Sequence, residues 1–199
     1  MRIAALVGLA LLAGIAHSQA ARFDVLVKGK KAGVATYQIS AGKAGGRITQ
    51  LRIVLADNSV TESVSQSDRT GAAVTAENTV RRGAARTKES VTYDAQGNAI
   101  ITTNKGKPVA VPFDKKGGRR DPSELWFRSL KPSPGTWAVF RALDPRKRVW
   151  EEVKVTYVGK RGIGNLVRQE RKGLTTNFTL DERGVPLVIE AGDLRMVRR

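Results

Sequence analysis

The chain has 199 residues, no cysteine and a single histidine, His17. This composition excludes disulfides, Cys–His nucleophilic chemistry and thiolate zinc sites. A formal net charge of +17 favours polyanionic partners, whether nucleic acid, anionic headgroups or acidic polysaccharide.

Met1 and Arg2 form a basic start, followed by an apolar run from Ile3 to Ala16 and a polar step, His17-Ser18-Gln19. Ser18 and Ala20 occupy the small-residue positions that a signal peptidase reads, so residues 1–20 read as a secretory signal peptide cut after Ala20. The run falls short of the ~20 apolar residues that a spanning helix needs. The expected product is exported, periplasmic or extracellular, with no transmembrane segment left after cleavage. Export sets nucleic acid behind the other polyanions. Cleavage also removes His17, which excludes a Ser-His-Asp triad and imidazole zinc ligation from the mature chain. Any enzyme reading must then rest on carboxylates, Lys, Tyr or a Ser–Lys pair.

Residues 21–199 fit one domain large enough to bury a core. They read as short strands separated by turns. Phe23 to Lys28 and Val34 to Ile39 flank a Gly-Lys-Lys-Ala-Gly turn, a hairpin signal. After a turn at 43–46, Arg47 to Ala56 alternates through Ile48, Leu51, Ile53 and Leu55, with a break at Gln50. Ser59 to Ser67 is rich in Ser and Thr, which suits a strand with one solvated face. Strands follow at Ala73 to Val80, Arg86 to Tyr93, Ala99 to Thr103 and Pro108 to Phe113. Asp121-Pro122-Ser123-Glu124 opens one short helix near residues 121–130, with Asp as cap and Pro at its first position. Lys131-Pro132-Ser133-Pro134-Gly135 stops it.

Strands resume at Thr136 to Leu143, Val149 to Val158, Leu166 to Arg171, Leu174 to Leu180, Pro186 to Glu190 and Leu194 to Val197. Short loops imply antiparallel neighbours, and one-sided alternation implies one buried face. The expected fold is mainly β: a single antiparallel, strongly curved sheet, half-barrel or barrel, with the one helix.

The order Asp121-Pro122-Ser123-Glu124-Leu125-Trp126-Phe127, Leu130 to Thr136, Arg141 to Pro145 and Phe178 to Leu187 resembles exported β-rich proteins of unknown function. Their sheet is similar to the half-barrel of periplasmic lipoprotein carriers, and to the β module found beside transglutaminase-like domains. The resemblance covers the C-terminal part of the chain. It implies a binding or accessory role, often with an apolar ligand; the transglutaminase-like catalytic part has no Cys or His here.

Eight of the eleven aromatic residues lie between Phe113 and Phe178. Trp126, Trp137, Phe140, Tyr157 and Phe178 are candidate lining for an apolar pocket. The same rings equally suit a core. Residues 21–100 carry 12 basic and 7 acidic side chains, and residues 101–199 carry 22 and 11. Lys28-Lys30-Lys31, Lys115-Lys116-Arg119-Arg120 and Arg146-Lys147-Arg148 all fall in expected turns, and would form an anion-binding rim if they share one end of the sheet. Glu151 and Glu152 are adjacent on a strand, so they point to opposite faces and read as solvated surface charge. No segment has the spacing of a calcium loop, and no cofactor or metal is expected. The functional expectation is an exported, non-enzymatic binding or accessory protein. One version holds an amphiphile in the half-barrel; another docks on an anionic polymer or protein of the envelope. A carboxylate-based glycan hydrolase ranks behind both, because it needs two carboxylates across a cleft.

Overall fold

The computed structural model describes residues 19–69, 73–104, 106–113 and 133–199. Fourteen strands form one antiparallel sheet. The first eight are β1 (Gln19–Val27), β2 (Lys30–Ala41), β3 (Arg47–Leu55), β4 (Val60–Ser67), β5 (Ala73–Arg82), β6 (Ala85–Tyr93), β7 (Ala99–Thr103) and β8 (Val109–Val111). The other six are β9 (Trp137–Asp144), β10 (Val149–Arg161), β11 (Gly164–Arg171), β12 (Leu174–Leu180), β13 (Pro186–Ala191) and β14 (Leu194–Arg198). A 3-10 turn at Lys43–Gly45 is the one helical element among the described residues. The helix expected near 121–130 lies outside them, as do residues 1–18. Gln19 and Ala20 belong to β1, pairing with Ile39 and Gln38, so the expected cut after Ala20 falls inside that strand's range.

The strand order is β8-β7-β6-β5-β4-β3-β2-β1-β14-β13-β12-β11-β10-β9. Two meanders, β1 to β8 and β9 to β14, are therefore joined where the first strand pairs with the last. Val25 lies opposite Met196 there. Directly opposed residues share a face, so one face can be followed around the whole sheet. Phe23, Val25, Tyr37, Ile39, Val153, Val155, Phe178, Leu180 and Met196 lie on it, each at most 1% exposed, in one apolar cluster. Right-handed twist over so many strands curls the sheet around that face. At Gly159, with φ +131, the register of β10 against β11 shifts, and such bulges bend a strand.

β8 and β9 stand at the two ends of the strand order, so the sheet is not closed by a ladder. Its ends overlap instead. Val91, Ala99, Ile101 and Val111, on the inner face of β6–β8, form a second apolar cluster with Leu143 and Trp150. Leu143 and Trp150 pair with each other and lie on the outer face of β9–β10, opposite to Phe140 and Val153. The turn end of the hairpin β9–β10 is thus covered on both sides: its inner face meets the main core, and Leu143 and Trp150 on its outer face meet β6–β8. The sheet is an open roll.

One face assignment from alternation is corrected. Ile48 lies on the outer side, and the inner positions of β3 are Arg47, Thr49, Leu51 and Ile53, all buried. Apolar residues occur at both parities in this strand, so alternation alone is ambiguous there.

Candidate functional site: a basic rim

In a meander the hairpin turns alternate between the two ends of the sheet. The connections β1–β2, β3–β4, β5–β6 and β7–β8 lie at one end. Because β14 runs antiparallel to β1, the turns β9–β10, β11–β12 and β13–β14 lie at that same end. This places Lys28, Lys30 and Lys31 together with Arg146, Lys147 and Arg148. Two of the three expected basic clusters therefore share one rim. The third, Lys115, Lys116, Arg119 and Arg120, lies outside the described residues.

The rim also collects cations that the sequence does not single out. Arg81, Arg82 and Arg86 flank the β5–β6 turn, and Arg171 and Lys172 the β11–β12 turn. Roll overlap brings the two arcs together. Glu89, on the inner face of β6, is acted on by the charges of both Arg146 and Asp144 in the β9–β10 turn region.

Part of this charge is neutralised locally. Glu151 has a side chain only 3% exposed. Its carboxylate accepts from Arg171 Nε at 2.6 Å and lies 2.8 Å from Lys172 Nζ and 3.7 Å from Lys147 Nζ. Burial pushes its pKa up, but hydrogen bonds from Lys172 and Arg171 outweigh that and hold it below the ordinary carboxylate range. Arg171 Nη2 also donates to Leu143 O at 3.1 Å. The solvated reading of Glu151 is thus corrected: it lies on the inner face, and its partner cations come from β11 and the turn after it. Glu152 is exposed, as expected. Asp144 caps its own turn through the backbone N–H groups of Arg146 and Lys147, each at 3.1 Å.

What remains is a set of exposed cations without an ion pair among the described residues: Lys30, Arg81, Arg82, Arg86, Arg146 and Arg148. Among the described residues, the opposite end carries Lys43, Arg69, Lys160 and Arg183 singly, and neutralises others. There Arg161 meets Glu190 at 3.0 Å and Arg198 meets Asp181 at 2.8 Å. Among the described residues, the rim is where unneutralised positive charge comes in runs.

Of the four candidate pocket aromatics among the described residues, three come together and one turns away. Phe140, Tyr157 and Phe178 lie on the inner face at 3%, 8% and 1% exposure, packed in the main core. Trp137 is 58% exposed on the outer face, where Lys154 Nζ sits 5.2 Å from its ring centroid. The pairing of Trp137 with Thr156, and of Phe140 with Val153, puts the two rings on opposite sides. Trp126 lies outside the described residues.

No protein-family model matches the chain, and no curated protein does. Among solved structures, a β-barrel-like protein of the domain of unknown function DUF1849 from Brucella abortus aligns at TM-score 0.56 and 14% identity, over 90% of this chain and 93% of that one. At that identity the likeness is one of fold: a β-rich, barrel-like domain of unknown function. A DUF1089 family protein from Pseudomonas aeruginosa aligns at TM-score 0.38 and 14% identity, over 89% and 91%, too loosely to bear on the fold.

Proposed function

We propose that the chain is an exported, non-enzymatic binding or accessory protein that docks on an anionic component of the cell envelope through its basic rim. The observation that carries this reading is the convergence of unneutralised Arg and Lys side chains from the β1–β2, β5–β6 and β9–β10 turns on one end of the roll. Convergent charge of one sign raises the local concentration of polyanions and speeds their association. The export signal in residues 1–20 and the resemblance of the C-terminal part to exported accessory proteins support the setting.

The amphiphile reading takes Trp126, Trp137, Phe140, Tyr157 and Phe178 as its pocket, and Phe140, Tyr157 and Phe178 lie in the main core. These rings are spent on the core, so the geometry favours docking. The hydrolase reading needs two carboxylates facing one cleft, and Glu151 and Glu152 face opposite sides of β10. The test is retention of residues 21–199 on immobilised alginate against neutral dextran. The protein should be held on alginate and released by salt, and replacement of Arg81, Arg82, Arg146 and Arg148 by Ser should abolish retention. Equal behaviour on both matrices, with no binding of inorganic polyphosphate either, would end the proposal.

A further inference from the structure

The inner face changes character on one side of the roll. One row of opposed residues runs Tyr37, Leu51, Ser63, Asn78, Glu89, Thr103 across β2 to β7. It begins as core and becomes polar at Ser63. Thr61 and Ser65 extend the polar surface along β4. A hydroxyl, an amide, a carboxyl and a second hydroxyl thus stand side by side, with neighbouring Cβ atoms ~5 Å apart. Ser63 Oγ donates to Asn78 Oδ1 at 3.2 Å, which leaves the amide N–H groups of Asn78 to donate elsewhere. Glu89 is half-buried and receives no hydrogen bond among the described residues. Burial raises its pKa, opposed by the charge of Arg146 and reinforced by that of Asp144. Glu89 stands in β6 four residues past its start at the rim, within reach of charges at the β9–β10 turn.

A partner that satisfies both surfaces must carry negative charge for the rim and hydrogen-bond donors for Glu89. A bare polyphosphate offers no donor and is repelled by a carboxylate. A hydroxylated polyanion meets both demands. Resting on the docking reading above, we infer that the partner is an acidic glycan, whose carboxylates meet the rim cations while its hydroxyls are taken by Ser63, Asn78, Glu89 and Thr103.

The test compares alginate, a polyuronate, with inorganic polyphosphate of matched charge, by calorimetric titration of residues 21–199. Glu89→Gln is nearly isosteric and removes a partly desolvated charge, so it should leave the fold intact. Thr103→Val changes an exposed strand position and serves as the second variant. Thr103→Val should weaken alginate binding by ~5-fold, as loss of one hydrogen bond predicts, and Glu89→Gln by a similar factor, because a neutral amide oxygen accepts more weakly than a carboxylate. Glu89→Gln should leave polyphosphate binding unchanged or stronger, because it removes a negative charge near the rim. Opposite signs for the two probes support the inference. If Glu89→Gln strengthens or spares both, charge alone is being read; the glycan assignment then falls and the docking reading stands. Binding of polyphosphate without alginate has the same meaning. If the unmodified protein binds neither probe, both readings fall together.

Discussion

The indole nitrogen of Trp150 donates to the carbonyl oxygen of Pro112 at 2.7 Å. The bond ties β10, beside one end of the strand order, to the residue just after β8, at the other end. Phe113 packs edge-on against the same indole, with centroids 4.9 Å apart, and Tyr93 lies tilted at 6.1 Å. No ladder joins β8 to β9, so these contacts and the small cluster around Leu143 hold the roll shut.

This seam makes a graded prediction. Trp150→Phe keeps most of the ring packing and loses the hydrogen bond, and should cost ~1 kcal/mol. Trp150→Ala also loses the contacts with Phe113 and Tyr93, and should cost about 3 kcal/mol. Urea unfolding followed by far-ultraviolet circular dichroism gives both values. Equal, negligible costs would mean that the ends of the sheet are held elsewhere.

A second prediction separates core from pocket. Phe178 is 1% exposed among Phe23, Tyr37 and Met196 of the same cluster. Phe178→Ala should therefore destabilise by about 3–5 kcal/mol, the range for a packed core ring. Trp137 is 58% exposed on the outer face. Trp137→Ala should change stability by less than about 0.5 kcal/mol. A near-neutral Phe178→Ala in the same unfolding series would restore the pocket reading.

Glu151 governs a pH dependence. Its folded pKa lies below the ordinary carboxylate value, so its contribution is present at pH above the unfolded pKa and is lost as pH falls through the folded one. Stability should fall on acidification below the ordinary glutamate value of 4.5. Glu151→Gln leaves Arg171 short of its carboxylate at a mostly buried site and should cost ~2 kcal/mol at neutral pH. It should also flatten the acid side of the stability profile. Lys172→Ala removes an exposed partner, 58% accessible at its side chain, and should cost within ~1 kcal/mol. Denaturant midpoints from pH 3 to pH 7 check all three; an unchanged acid limb in Glu151→Gln would remove the ion-pair account.

Local signals carry most of the fold. Leu174 to Leu180 alternates, Gly173 on one side and Asp181 to Gly184 on the other mark the turns around it, and its strand bounds agree with the structure. What local signals cannot carry is which distant strands meet. Glu151 looks like surface charge because its partners, Arg171 and Lys172, arrive from another strand and the turn beyond it. Trp150 and Pro112 are 38 residues apart, and nothing in either segment announces their contact. The rim lies one topological step from the sequence: once the strands form a meander, Lys30 and Arg146 must lie at the same end. Arg81, Arg82 and Arg86 escape notice because they straddle the gap between the strands read at Ala73 to Val80 and Arg86 to Tyr93, which the structure narrows to a two-residue turn. The inner polar row is hidden for a related reason, since the Ser and Thr of β4 suit a solvated face as well as a lined interior.

The rim itself makes the last prediction. Its unpaired cations are exposed and belong to separate turns, so their effect is electrostatic and additive in sign, and it is open to screening by salt. Replacing Arg81, Arg82, Arg146 and Arg148 by Ser should weaken alginate binding by more than ~10-fold at 0.01 M salt, where the Debye length is ~30 Å. At 1 M salt the Debye length is ~3 Å, and the unmodified protein and the variant should become indistinguishable. A variant matched in charge at the other end, Lys43, Arg69, Lys160 and Arg183 replaced by Ser, should lose far less at low salt, because those cations stand singly. Affinity measured across that salt range in the three proteins decides whether charge acts from one end of the roll. Equal losses in both variants would instead make net charge the cause, and the rim would have no special part in binding.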